Sequence, residues 1–194
     1  MPVRLASLIL AIPWIAFVIY WAVSAVGVKK DVRRPGSFGL TMLLRVILIA
    51  GFVTYLASGG LRPWIGRVME YTDHPPLGLQ IFGIALCVAG IGFAIWARVH
   101  LGRNWSPVPT LKEDHELVTS GPYRYVRNPI YTGLLFALLG SAFAAGFTYY
   151  FLLVCFLGVF VYRVFAEDHL MMEQFPNTYP AYKRKTKALI PFVV

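Results

Sequence analysis

LKEDHELVTSGPYRYVRNPIYTG, Leu111 to Gly133, is the longest polar interval in a chain that is otherwise mostly apolar enough to cross a membrane. It sets Lys112, His115, Arg124, Arg127 and Asn128 among Tyr123, Tyr125 and Tyr131, and Gly121-Pro122 and Pro129 break it up. A connector between two spans needs few residues and no aromatics. An amphipathic loop in the headgroup layer also accounts for the aromatic and basic residues. The density of turn-formers beside groups that can bind a ligand favours a site.

Outward from this interval the chain reads as membrane spans. Leu77–Val99 precedes it, uncharged until Arg98. Ile130–Ala145 and Phe147–Phe165 follow, separated by Gly146, a residue suited to a tight hairpin turn. The first of these two runs is short, roughly 22–24 Å at the helical rise. Further upstream, Leu5–Val26 carries no charge, and Gly39–Ser58 is interrupted only by Arg45. Leu5–Val26 is too long for a signal core and no small-residue cleavage pattern follows it, so it reads as a span. The sequence predicts an all-α integral membrane protein with about five transmembrane helices. Its 194 residues make one domain, with three N-terminal spans in 1–99 and a loop, a helical hairpin and a C-terminal helix in 100–194.

Composition agrees. A chain that is 58% hydrophobic and 14% charged is neither disordered nor an ordinary soluble domain. The net charge of +9 raises nucleic acid as a partner, but in a spanning protein the distribution of charge decides. Residues 27–38, 98–130 and 183–187 hold four, five and four basic residues, thirteen of the eighteen. Arg4, Arg62 and Arg67 fall on the other side, and Arg45 and Arg163 lie within spans. The positive-inside rule then places the N-terminus outside, and the 100–130 interval and C-terminus in the cytoplasm. The bilayer is the partner, and nucleic acid is not. Cys87 and Cys155 sit in apolar runs and read as small core residues, and the four histidines have no metal-ligand spacing, so no metal is expected. Gly90-Ile91-Gly92 lies within a span with no strand before it, which makes it helix-packing material and excludes a dinucleotide loop.

Past Phe165 the last helix continues through AEDHLMMEQF until Pro176, and Tyr179, Tyr182 and the run KRKTK follow. That run reads as an electrostatic anchor on anionic lipid. Arg163 and Glu167 are four apart, hence on one helix face. Ionisable groups this near hydrocarbon face a cavity or each other. A self-satisfied pair with Arg163 snorkelling to the headgroups explains Arg163 alone. It explains the larger set of Arg163, Glu167, Asp168, His169 and Glu173 less well, because acids at an anionic surface are unfavourable.

The string GPYRYVRNPIYTG, a hydrophobic hairpin, and then ED-x-x-x-x-E-x-F-x-x-x-Y-x-x-Y occur in that order. Together they resemble the isoprenylcysteine carboxyl methyltransferase family, itself related to membrane phospholipid methyltransferases. The likeness covers about residues 100–194, which it makes the catalytic region; the first half of the chain matches only as generic spans. It implies S-adenosylmethionine held at the cytoplasmic face by the 100–130 loop and the C-terminal segment, with S-adenosylhomocysteine as product. The acceptor implied is lipidic, by the family's default the carboxylate of an isoprenylated cysteine in a small molecule or peptide, with a phospholipid amine and a small isoprenoid thiol left open. Position by position, the cofactor contacts fall on His115, Glu116, Leu117, Val118, Tyr123, Asn128, Pro129, Ile130 and Tyr131. The substrate-side arginine and catalytic glutamate fall on Arg163 and Glu167. The family usually has Arg-His-Pro at Arg127-Asn128-Pro129 and Glu-Glu at Glu167-Asp168. Asn128 still hydrogen-bonds but has no titrating ring. Asp168 keeps the charge on a shorter arm. Both departures bear on the acceptor. Membrane sterol and steroid reductases, which bind NADPH, share a similar Arg-x-Pro-x-Tyr string and form the alternative. A non-catalytic membrane protein is the third reading.

Overall fold

The computed structural model describes residues 3–25, 75–105 and 116–189. They form α1 (Val3–Ser24), α2 (Leu77–Leu101), α3 (Pro129–Ala145), α4 (Phe147–Gln174) and α5 (Tyr179–Lys185). Single 3₁₀ turns occur at Gly102–Asn104 and Gly121–Arg124. Among the described residues, three helices are long and apolar enough to cross a membrane, Leu5–Ser24, Leu77–Asn104 with its terminal turn, and Phe147–Gln174. The apolar α3, 17 residues, is shorter. Of the five expected spans, Gly39–Ser58 with its Arg45 lies outside the described residues.

α2 and α3 form the framework. A Cβ built on Gly83 would lie 2.4 Å from the Gly140 carbonyl oxygen, and one on Gly140 the same distance from the oxygen of Gly83. Gly90 and Gly133 repeat the arrangement two turns along, at 2.6 Å and 2.5 Å. Hydrocarbon provides no hydrophobic drive between helices, so close backbone approach through glycine supplies the attraction as packing. Gly90 thus has the packing role expected of it, whereas the Cβ direction of Gly92 is open. α1 leans on this pair. Trp14 Nε1 donates to Ser141 Oγ at 3.1 Å, and Leu10 joins Cys87, Ile91, Ala137, Ala144 and Ala145 in a buried cluster. Cys155, unlike Cys87, is exposed.

Chain breaks set the boundaries. Pro129 opens α3, where its missing N–H costs nothing. Gly146, at φ +87°, takes the left-handed conformation that separates α3 from α4. α4 then runs unbroken to Gln174, just before Phe175-Pro176, as the sequence suggests. Its outer face shows Val154, Leu157, Val161, Tyr162 and Phe165.

The segment after α5 turns back to the polar interval. Val126 and Lys187 form a parallel bridge. Arg127 N–H donates to Lys187 O at 2.8 Å, and Asn128 N–H to Ala188 O at 3.1 Å. Thr132 Oγ1 donates to Leu189 O.

Candidate active site

Where α4 leaves α3 and α5 folds back, the helices enclose a cavity of about 500 Å³. α4 presents Phe156, Phe160, Arg163, Glu167 and Leu170 to it, at alternating spacings of four and three that place them on one helix face, with Asp168 and Met171 beside them. The interval 116–131 supplies Glu116, Leu117, Val118, Tyr123, Arg127, Asn128, Ile130 and Tyr131. α1 adds Phe17 and Trp21, the end of α2 adds Leu101 with Asn104 and Trp105, and α5 adds Tyr179 and Tyr182. Polar groups therefore converge at the α4 end of a chamber lined mostly by apolar and aromatic side chains, a common form for ligand sites.

At that end Tyr131 Oη donates to Glu167 Oε1 at 2.5 Å, and Arg163 Nη2 donates to the same oxygen at 3.2 Å. The Arg163 guanidinium lies 5.4 Å from the Tyr131 ring centroid, a cation–π distance. Tyr131 also stacks on Phe160, centroids 4.6 Å apart and planes 10° apart. Ring packing on one partner and a hydrogen bond on the other fix the phenol, and with it the Glu167 carboxylate.

A second network lies behind the first. Asp168, 7% exposed, accepts from Arg127 Nε at 3.2 Å and Nη2 at 3.3 Å, a forked pair, and from Lys183 Nζ at 2.8 Å. Tyr179 Oη donates to it as well. Arg127 Nη1 reaches on to the carbonyls of Lys183, at 3.2 Å, and Thr186, at 2.5 Å. Tyr182 Oη donates to Tyr123 O at 2.7 Å. This network joins α4, α5 and the 121–128 turn. Burial raises the phenol pKa of Tyr123, helped by the nearby charge of Glu167. Burial does the same for Tyr179, with Asp168 adding to it. It pushes Tyr182 up to about 12. All three phenols stay protonated and serve as donors.

The structure therefore gathers most of the expected site residues. Glu116, Leu117, Val118, Tyr123, Asn128, Ile130 and Tyr131 face the same cavity as Arg163 and Glu167. Pro129 is fully buried as the first residue of α3. His115 lies outside the described residues. Asn128 spends its amide on Ala188 O, at 3.1 Å, and so ties down the C-terminal segment. The cluster at the end of α4 divides: His169 and Glu173 pair with each other at 3.2 Å on the outer face. Lys183 leaves the basic run to neutralise Asp168. Sequence reasoning did not anticipate the α1 wall, the Asn104–Trp105 corner or the Arg127–Asp168 fork.

The profile of the phospholipid methyltransferase family matches residues 79–178, the stretch that builds most of this cavity. A protein-S-isoprenylcysteine O-methyltransferase of Schizosaccharomyces pombe is 33% identical over 158 residues, covering 75% of this chain and 66% of that protein. The Xenopus laevis enzyme of the same name is 28% identical over 146 residues, 69% of this chain and 49% of its own. The chain thus spans about half to two thirds of the length of the curated relatives it matches. Among solved structures, the eukaryotic intramembrane Ras methyltransferase (isoprenylcysteine carboxyl methyltransferase) shares the fold, with a TM-score of 0.57 and 19% identity. That match covers 84% of this chain and 55% of the other. Half of the sequence lies under one family profile, and the chain belongs to the phospholipid methyltransferase family.

Proposed function

We propose that this chain catalyses methyl transfer from S-adenosylmethionine to a lipidic acceptor, the carboxylate of an isoprenylated cysteine or a similar molecule. One observation carries the reading: the Arg163–Glu167 pair and the motif residues of 116–131 meet at one aromatic cavity. The names of the relatives point the same way. The cavity suits the cofactor chemically. Tyrosine faces and the carboxylates of Glu116 and Glu167 favour a cation, and residues 116–119, outside any helix, offer backbone donors and acceptors. Glu116, Leu117, Val118, Tyr123, Asn128, Ile130 and Tyr131 would hold it, with Pro129 setting the turn and His115 a further contact.

The cofactor, when bound, supplies a methyl group activated on a sulfonium. In-line displacement needs alignment and exclusion of water rather than proton transfer. Arg163 aims the acceptor carboxylate through its guanidinium, and Glu167, held by Tyr131, fixes Arg163 in turn. Phe17, Trp21, Phe156 and Phe160 exclude water and receive the lipid portion. For an amine or thiol acceptor Glu167 takes the proton instead. The charge distribution supports a site on the cytoplasmic face, with the N-terminus outside.

The test is thermal stability of the detergent-purified protein against S-adenosylmethionine, S-adenosylhomocysteine and NADPH, each titrated separately. A ligand at ~100 times its dissociation constant adds roughly 2.7 kcal/mol. Both adenosyl compounds raise the melting temperature and NADPH does not. Stabilisation by NADPH alone transfers the chain to the reductases, and no response to any of the three overturns the enzymatic reading.

A further inference from the structure

α5 has two sides. Tyr179, Tyr182 and Lys183, three and four residues apart, share one of them. Tyr179 and Tyr182 line the cavity, and Lys183 Nζ reaches Asp168 at 2.8 Å. Arg184 and Lys185 fall on the other side and are exposed, as is Lys187 just beyond the helix. The bridge between Val126 and Lys187 brings Arg124, also exposed, alongside them. Among the described residues, none of Arg124, Arg184, Lys185 and Lys187 has a carboxylate partner.

Docking of α5 therefore gathers like charges. Asp168 is satisfied by Arg127 and Lys183, which leaves Arg124, Arg184, Lys185 and Lys187 to repel one another. The depth of the helix shows what can offset that repulsion. Phe165, 71% exposed on the spanning helix α4, precedes Asp168 by three residues, about 4.5 Å of helix. Fastened to Asp168, α5 lies one turn beyond the apolar surface of α4, at the level of lipid headgroups. Tyr125, 55% exposed beside Arg124, is a residue type that favours the same layer. Cations at that depth meet lipid phosphate, and an anionic bilayer surface attracts each of them over about a Debye length.

We propose that the face formed by Arg124, Arg184, Lys185 and Lys187 binds the headgroups of anionic phospholipids, and that this contact holds α5 docked, so that completion of the cavity depends on lipid charge. A basic run near a membrane ordinarily adds attachment alone. Here the same seven-residue helix carries cavity wall on its inner side. Lipid charge then acts on the site without touching it. The effect on cofactor affinity rests on the methyl-transfer reading, whereas the effect on α5 docking stands apart from it.

The experiment places the full chain in nanodiscs of phosphatidylcholine, or of an equimolar mixture with phosphatidylglycerol. Amide exchange of α5 and of Lys187–Leu189 is followed, and S-adenosylhomocysteine affinity is measured in the same discs. One basic residue at an anionic surface is worth roughly 5-fold. Protection of α5 therefore rises at least that much in the mixed discs, while α2 and α3 keep theirs, and added sodium chloride narrows the difference. In a variant combining Arg124→Gln, Arg184→Gln, Lys185→Gln and Lys187→Gln, protection is equal in the two discs. It is also no lower than wild type in phosphatidylcholine, because the repulsion is removed along with the attraction. No gain in the wild type, or the same gain in the variant, overturns the proposal. Should the variant fail to assemble, the salt series on the wild type decides: a gain that survives high salt overturns it equally. Inorganic phosphate that reproduces the gain in phosphatidylcholine, beyond sodium chloride at equal ionic strength, assigns the face to a soluble anion and overturns the lipid assignment. S-adenosylhomocysteine affinity rises together with protection. If protection responds to lipid charge while neither disc shows S-adenosylhomocysteine binding, the methyl-transfer reading fails and the lipid contact stands.

Discussion

Replacing Arg127 tests whether the Arg127–Asp168 network in the cavity wall holds the C-terminal segment in place. Arg127→Ala removes the fork to Asp168 and two bonds to the carbonyls of Lys183 and Thr186 in one step. Removing one partner of a buried ion pair costs about 3–5 kcal/mol, because the other charge stays buried uncompensated. Here Lys183 still reaches Asp168 at 2.8 Å, and its side chain is 43% exposed. The lower end, about 3 kcal/mol, therefore applies. If that loss falls on docking of 175–189 alone, the segment opens on the order of 100-fold more often. Hydrogen exchange reads this directly: amide protection of α5 and of Lys187–Leu189 falls by that factor, while α2 and α3 keep theirs. Arg127→Lys falls between, since an ammonium cannot make the fork. The affinity for S-adenosylhomocysteine drops with the protection, because Tyr179 and Tyr182 line the cavity from α5. Unchanged protection across 175–189 in Arg127→Ala would refute the claim that this network holds the segment.

Three further outcomes follow from the same geometry. Arg163→Ala and Glu167→Ala abolish turnover while S-adenosylhomocysteine still raises the melting temperature; normal methylation by both variants would place the acceptor elsewhere. Tyr123→Ala and Tyr131→Ala weaken cofactor binding, whereas Tyr131→Phe, which keeps the stack on Phe160 and loses the bond to Glu167, acts mainly on kcat. Gly90→Ala destabilises by about 1–3 kcal/mol, as overpacking does, since its Cβ meets Ala137 N at 2.5 Å. Gly92→Ala, with open space around it, stabilises by roughly 0.5–1 kcal/mol through lower chain entropy. Melting temperatures of opposite sign for these two neighbours check the seam.

The helix boundaries were legible wherever local chemistry fixes them. Gly146 between two apolar runs, Pro129 before the first of them, and Phe175-Pro176 after the acidic stretch all mark breaks that the structure keeps. The pairing of Arg163 with Glu167 was legible from helical period, and the same period explains why His169 and Glu173 turn outward. Contacts between distant segments were not. Arg127 and Asp168 are 41 residues apart, and nothing in the spacing ties one to the other. Lys183 looked like the rest of its basic run because its partner is set by the return of α5. The α1 wall was hidden for another reason. In a uniformly apolar helix, hydropathy does not distinguish Phe17 and Trp21, which face the cavity, from Ile19 and Val23, which are exposed. Asn104 carried no signal beyond being polar near the end of a span.

The bridge between Val126 and Lys187 also bears on how the molecule is made. Synthesis runs from the N-terminus, so α1 through α4 are built and can pack while residues 179–189 do not yet exist. Until they arrive, Asp168 lacks Lys183 and Tyr179, and the cavity lacks the wall that α5 provides. Under the proposed function, binding competence is therefore conferred last, by about a dozen residues docking onto helices already assembled. A chain not yet extended past Gln174 would have its helices and lack the α5 side of the chamber.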